Sequence, residues 1–205
     1  MTPIYWKQAT QELATNDNVM RQLTQRFEGV ALESRGDAFS TLARSIVGQQ
    51  ISVKAAEKVW QKVVAAIPEI AAHAILSSDE ATLRACGLSF RKISYLQDLS
   101  RHFIDGMLNE TSWNEMSDES VIVQLTRVKG IGRWSAEMFL IFHMLRSDIL
   151  PLDDIGLQRA IRMHYNANQP MDKSAMRAIA TAWQPWRSVA TWHLWRSLDP
   201  LPVEY

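Results

Sequence analysis

Almost every apolar residue between Trp6 and Leu198 belongs to a segment whose hydrophobic positions recur three and four apart, and single glycines or prolines stand between these segments. That period is the helical one, and eight Gly with seven Pro placed singly punctuate helices joined by short loops. Phe39, Leu42, Ile46 and Val47 line one face of residues 37–50. Ser52 then stands as an N-cap before a helix whose buried stripe is expected at Ala55, Val59, Trp60 and Val63. Ile93, Leu96, Leu99 and Phe103 repeat the pattern over 91–106, and Asp79 opens a shorter helix ending at Gly87. Two short helices fit Trp6 to Phe27, on either side of the polar run Thr15 to Asn18. Others fit 118–126, 133–145, 155–165, 173–182 and 186–198, with Asp172 and Pro185 in helix-start positions and 199–205 left as a tail. No segment alternates as a strand would, so the expected fold class is all-α.

Composition narrows the partners. No apolar run approaches the ~20 residues needed to cross a bilayer, and the N-terminus lacks the basic-then-apolar order of a signal peptide, so a soluble, intracellular protein without a membrane partner is expected. Cys86 is the only cysteine; it excludes an internal disulfide and a four-cysteine cluster, and is expected as a small buried hydrophobe. Lys and Arg number 22, as do Asp and Glu, so any surface for nucleic acid must be local. Arg127, Lys129 and Arg133 form one basic cluster, a pattern also common on solvated helix faces.

That cluster surrounds the segment VKGIGRWSAEM, in which Gly130 and Gly132 separate two helical patterns. A helix that stops, turns and restarts within a few residues needs positions tolerant of positive φ or close backbone approach, which the glycines supply. The second helix then begins with bare N–H groups and the positive end of its dipole, a phosphate-binding arrangement, though glycine spacing alone also fits a plain helix-helix turn. Downstream, Pro151 precedes two adjacent carboxylates, Asp153 and Asp154, at another helix start. Of eight tryptophans, Trp183, Trp186, Trp192 and Trp195 cluster near the C-terminus, where large aromatics either fill a core or form a stacking surface.

Four blocks, SIVGQQIS, GLSFRKISYL, KGIGRWSAEM and LPLDDIGLQRAI, together resemble the helix-hairpin-helix superfamily of DNA glycosylases, over nearly the whole span from Trp6 to Leu198. The resemblance is to its alkylpurine branch, of the DNA-3-methyladenine glycosylase II type in a compact form without an N-terminal β domain. It implies two helical lobes, 36–146 and 1–35 with 147–205, with the active-site cleft between them. It assigns the catalytic role to Asp154, an ionised carboxylate that stabilises the oxocarbenium-like sugar as the N-glycosidic bond breaks, and leaves Asp153 as a cap or orienting residue. Members that also cut the strand place a lysine two residues after the second glycine; Trp134 stands there, which implies a monofunctional enzyme that uses water. Alkylation gives a purine positive charge, so an electron-rich slot suits it, and the resemblance places Trp134, Met138 and Trp195 in the base pocket. Met138 departs from the aromatic found there in some members. Flipping the base leaves a gap, which the turn carrying Gln49, Gln50 and Ile51 is expected to fill, with Gln50 or Ile51 as the wedge. Gln49 is equally readable as a helix cap or buried amide. Lys129, Gly130, Gly132 and Arg133 are the expected hairpin contacts to DNA, Lys129 departing from a common proline; Arg91 and Lys92 are read as phosphate contacts or solvated surface.

The function implied is excision of alkylated purines such as N3-methyladenine and N7-methylguanine from double-stranded DNA in base excision repair, by a monomer. No cofactor is required, with a monovalent cation at the hairpin carbonyls left open. The expected location is the cytoplasm, at the nucleoid, in a bacterium and the nucleus in a eukaryote. Two other readings stand beside it: a non-catalytic helix-hairpin-helix module, which would need neither Asp154 nor the tryptophan-rich helix, and a glycosylase for an oxidised or mispaired base.

Overall fold

The computed structural model describes residues 2–34 and 36–198; the expected C-terminal tail lies outside the described residues. In chain order the helices are α1 (Trp6–Asn16), α2 (Asn18–Arg26), α3 (Ala38–Gly48), α4 (Val53–Ala66), α5 (Ala72–Ser77), α6 (Glu80–Ala85), α7 (Phe90–Ile104), α8 (Glu110–Trp113), α9 (Asp118–Leu125), α10 (Arg133–Phe142), α11 (Ile155–Tyr165), α12 (Lys173–Ala180) and α13 (Arg187–Leu198), with a 3₁₀ turn at Thr181–Trp183. No strand occurs among the described residues, and no helix among them is long and apolar enough to cross a membrane. The fold is all-α.

Side-chain caps set many of the starts. Asp17, Asp37, Ser52, Asp79, Ser89, Ser117 and Asp172 each accept a bond from the backbone N–H three residues on, satisfying a donor that the helix itself leaves unpaired. The break between the first two helices is therefore sharp: Asp17 is extended and caps Met20.

The chain divides into two compact units, residues 36–139 and residues 2–34 with 140–198. In the first, α7 packs against α3, α5 and α6, and its Ile93, Leu96 and Leu99 are fully buried. Phe39, Phe103, Trp113 and Phe139 meet edge to face in succession, with centroids 5.3, 6.3 and 5.4 Å apart. In the second, α1 and α2 pack on each other and on α13, which also packs on α11; Leu13, Met20, Ile161, Trp183 and Val189 form this core.

Some expectations need correction. In α4 only Val63 is buried; Ala55, Val59 and Trp60 are half-exposed, because the helix packs along a narrow stripe on α3 and α6. The helix from Arg133 stops at Phe142 rather than Leu145, since Leu145 adopts a left-handed φ of 55° and the Arg146 N–H returns to the Leu140 carbonyl at 2.9 Å. The helix from 173 tightens into the 3₁₀ turn after Ala180. α5 and α8, of six and four residues, are too short to leave a periodic signature. Cys86 is buried as expected.

Candidate active site

Asp154 lies in the unit formed by both ends of the chain. Its backbone N–H donates to the Pro151 carbonyl at 2.9 Å, folding the chain into a turn that delivers the residue to the N-cap of α11. There its Oδ1 accepts two bonds, from the Leu157 N–H at 2.6 Å and from the Trp195 indole N–H at 2.8 Å. Helix cap and expected catalytic carboxylate are thus one residue. Asp153 is corrected accordingly: it is exposed and ion-paired to Lys173 and does not cap the helix.

The approach to Asp154 is braced. The Gln158 amide donates to the Leu152 carbonyl at 2.8 Å. Arg187, at the start of α13, holds the Asp148 carboxylate in a fork of 2.7 and 2.8 Å, and the Ser188 hydroxyl accepts the Ile149 N–H at 2.9 Å. On α13, half-buried Trp195 stacks on Phe142 with centroids 5.8 Å apart and planes 14° from parallel. A Cβ on Gly156 would come within 3.0 Å of Asp154 Oδ1 and 3.5 Å of the Trp195 ring. Sequence reasoning missed Phe142, Asp148, Arg187 and Gly156. A glycine in the first turn of a helix is a costly choice and was the signal available for Gly156; a fork between residues 39 apart leaves none.

The hairpin lies in the other unit. Gly130 has a φ of 85°, and a Cβ there would meet the Tyr95 ring at 2.1 Å, so glycine is demanded twice over. Gly132 is exposed with nothing within 4 Å of a Cβ position, leaving the first amides of α10 uncovered by it. The turn is pinned from beneath: the Lys129 N–H donates to Asp98 Oδ2 at 2.9 Å, and the Gln49 amide donates to the Gly130 carbonyl at 2.8 Å. Gln49 is therefore a brace joining the end of α3 to the hairpin. Gln50, with a φ of 60°, and Ile51 form the exposed tip between α3 and α4. On α10, Trp134 is 37% exposed while Met138, one turn on, is 5% exposed.

The basic cluster is largely answered by acids. Arg133 forks onto Glu119 at 2.7 and 2.9 Å and reaches Glu137 at 3.1 Å, which raises the guanidinium pKa and draws the Glu119 carboxyl below its usual range, hydrogen bonding across the pair being the main cause in both. The Lys129 ammonium stands 3.6 Å from Asp98. Lys92 is not free surface: half-buried, with its pKa lowered by desolvation, it donates to the Val47 carbonyl at 2.6 Å and caps α3. Arg91 is exposed.

The chain belongs to the HhH-GPD superfamily of base excision DNA repair proteins, whose pattern it matches over residues 43–185. It is 31% identical over 169 residues to YfjP of Bacillus subtilis, covering 78% of this chain and 59% of that one, so it spans less than two thirds of this relative's length. Among solved structures it resembles a DNA-3-methyladenine glycosidase from Bacillus halodurans, with a TM-score of 0.85 and 31% identity over 93% of this chain and 89% of that one. It also resembles the 3-methyladenine DNA glycosylase of Schizosaccharomyces pombe in complex with abasic DNA, with a TM-score of 0.80 and 27% identity over 97% and 99% of the two chains.

Proposed function

We propose that this chain is a monofunctional DNA glycosylase that flips alkylated purines out of duplex DNA and releases them by hydrolysis. The observation that carries the reading is the Trp195 indole N–H held 2.8 Å from Asp154 Oδ1, which sets an aromatic slab against an oriented carboxylate. Fixed in this way, the carboxylate is aimed before substrate arrives and stabilises positive charge as it develops on the sugar. Water completes the reaction at the anomeric carbon, and the free base leaves with the bonding electrons.

A base alkylated at a ring nitrogen is already cationic and needs no strong general acid. Trp195, backed by Phe142, offers it a π face, worth roughly 0.5–2 kcal/mol. Trp134, in place of an amine, gives no Schiff base and hence no strand cleavage. The hairpin grips phosphate through backbone N–H groups of Gly132 and the first turn of α10, and Gln50 or Ile51 at the exposed tip fills the gap left by the base. The names of the similar proteins, and the abasic DNA bound to the Schizosaccharomyces pombe enzyme, support this reading. No cofactor enters it; a monomer acting at the nucleoid or in the nucleus suffices.

The test is a duplex treated with a methylating agent. N3-methyladenine or N7-methylguanine should appear in the supernatant while the strands stay intact until mild alkali breaks them at abasic sites. Strand cleavage before alkali would sink the monofunctional reading, and release of an oxidised base instead would favour a different pocket specificity.

A further inference from the structure

We infer that α4 carries a second DNA-contacting surface, a line of three lysines, Lys54, Lys58 and Lys62, that engages backbone phosphates flanking those gripped by the hairpin. This rests on the DNA-binding reading above.

The three recur every four residues, so they share one side of the helix with a drift of about 40° per step and span about 12 Å along its axis. Each strand of a duplex carries a charge about every 3.4 Å of axis, so a line of that length faces roughly three phosphates. All three side chains are exposed. Among the described residues none of them is ion-paired: Glu57, the only acid on α4, has one oxygen on Arg44 at 2.7 Å and the other on the Gln61 amide at 3.0 Å.

Position and charge together identify the occupant. α4 starts at the Ser52 cap, directly after the Gln50–Ile51 tip, and Gln49 is bonded to Gly130 of the hairpin, so the line begins beside the expected DNA contacts within the same unit. The hairpin's own cations are largely spent on Glu119, Glu137 and Asp98. In a chain with zero net charge, a polyanion gripped at the hairpin finds, beyond Arg127, further unanswered positive charge on α4.

The experiment compares the intact chain with its K54Q/K58Q/K62Q variant, binding undamaged duplex across a salt series. Each phosphate contact contributes about 0.9 to the slope of log affinity against log salt, so the variant's slope should be shallower by about 2 to 3. K54R/K58R/K62R should restore it, and the single variant K58Q should lose close to one. On a duplex too short to extend past the hairpin's contacts, intact chain and triple variant should coincide, and methylated-purine release at saturating DNA should persist in both. Equal, steep slopes on the long duplex would overturn the inference and leave the lysines a solvated face. Loss of binding to an acidic polypeptide with unchanged DNA binding would overturn it in favour of a protein partner. A shallow slope in the intact chain would instead remove the DNA-binding reading itself.

Discussion

Asp154 Oδ1 is held by the Leu157 N–H and the Trp195 indole N–H, and Gly156 leaves beside it the space that a Cβ would crowd. Gly156→Ala is the finest probe of that placement. The added carbon would sit 3.0 Å from Oδ1, and the carboxylate or the ring must yield. Because misplacement of about 1 Å can cost 100-fold, a shift of a few tenths is expected to lower single-turnover excision roughly tenfold, with DNA affinity and melting temperature little changed. An unaltered rate would mean that the carboxylate's exact position does not matter. At the hairpin, Glu119 diverts Arg133 from any phosphate nearby. Glu119→Gln should strengthen binding to undamaged duplex and steepen its salt dependence by close to one unit; a weaker complex would show that Glu119 positions Arg133 for DNA.

Among the elements, Asp17 holds the most joints. Its carboxylate caps α2 through Met20 and also accepts the Tyr165 hydroxyl at 2.9 Å and the Trp183 indole at 3.2 Å, tying the α1–α2 corner to α11 and the 3₁₀ turn. Asp17→Ala removes a cap and strands two partly buried donors, a destabilisation of about 3 kcal/mol that urea titration would read. A loss under about 1 kcal/mol would show that water replaces the carboxylate easily. Helix positions were legible in the sequence because caps such as Ser52, Asp79 and Asp172 are local signals and the period repeats over several turns. The helix start at Asp154 and the turn at the hairpin glycines were legible because carboxylates after a proline and closely spaced glycines are local signals. The braces were not: Gln49 on Gly130, Lys92 on Val47, Arg133 on Glu119 and Arg187 on Asp148 join positions between 14 and 81 residues apart, and only the fold brings them together. The same blindness made Arg127, Lys129 and Arg133 read as a basic patch, because the acids that answer two of them come from other helices or other turns.

At the scale of the whole molecule, acid stability depends on a buried imidazole. His193 packs among Trp6, Phe27 and Trp192 at 1% exposure, and both ring nitrogens lack a partner among the described residues. Desolvation, and secondarily the charge of Arg196, pushes its pKa from 6.5 down to about 3. The folded-state value is depressed, so the stabilisation is present in full above 6.5 and is lost progressively as pH falls toward 3, where the unfolded chain holds a proton that the folded chain refuses. His193→Leu should flatten stability against pH across that window; an unchanged slope would mean that the imidazole already takes a proton in the fold. On the proposed function, a chain of no net charge binds DNA through the hairpin and cuts a glycosidic bond with one carboxylate. The measurement that bears on it most directly is single-turnover release of methylated purine by the intact chain and by Asp154→Asn, which keeps an oxygen for the α11 cap and for Trp195 but carries no charge. Release by the intact chain, with a loss of several orders of magnitude in the variant at unchanged DNA affinity, is the predicted result. Equal release by both would contradict the role given to Asp154, and binding without release by either would make the carboxylate a helix cap and the chain a DNA-binding module.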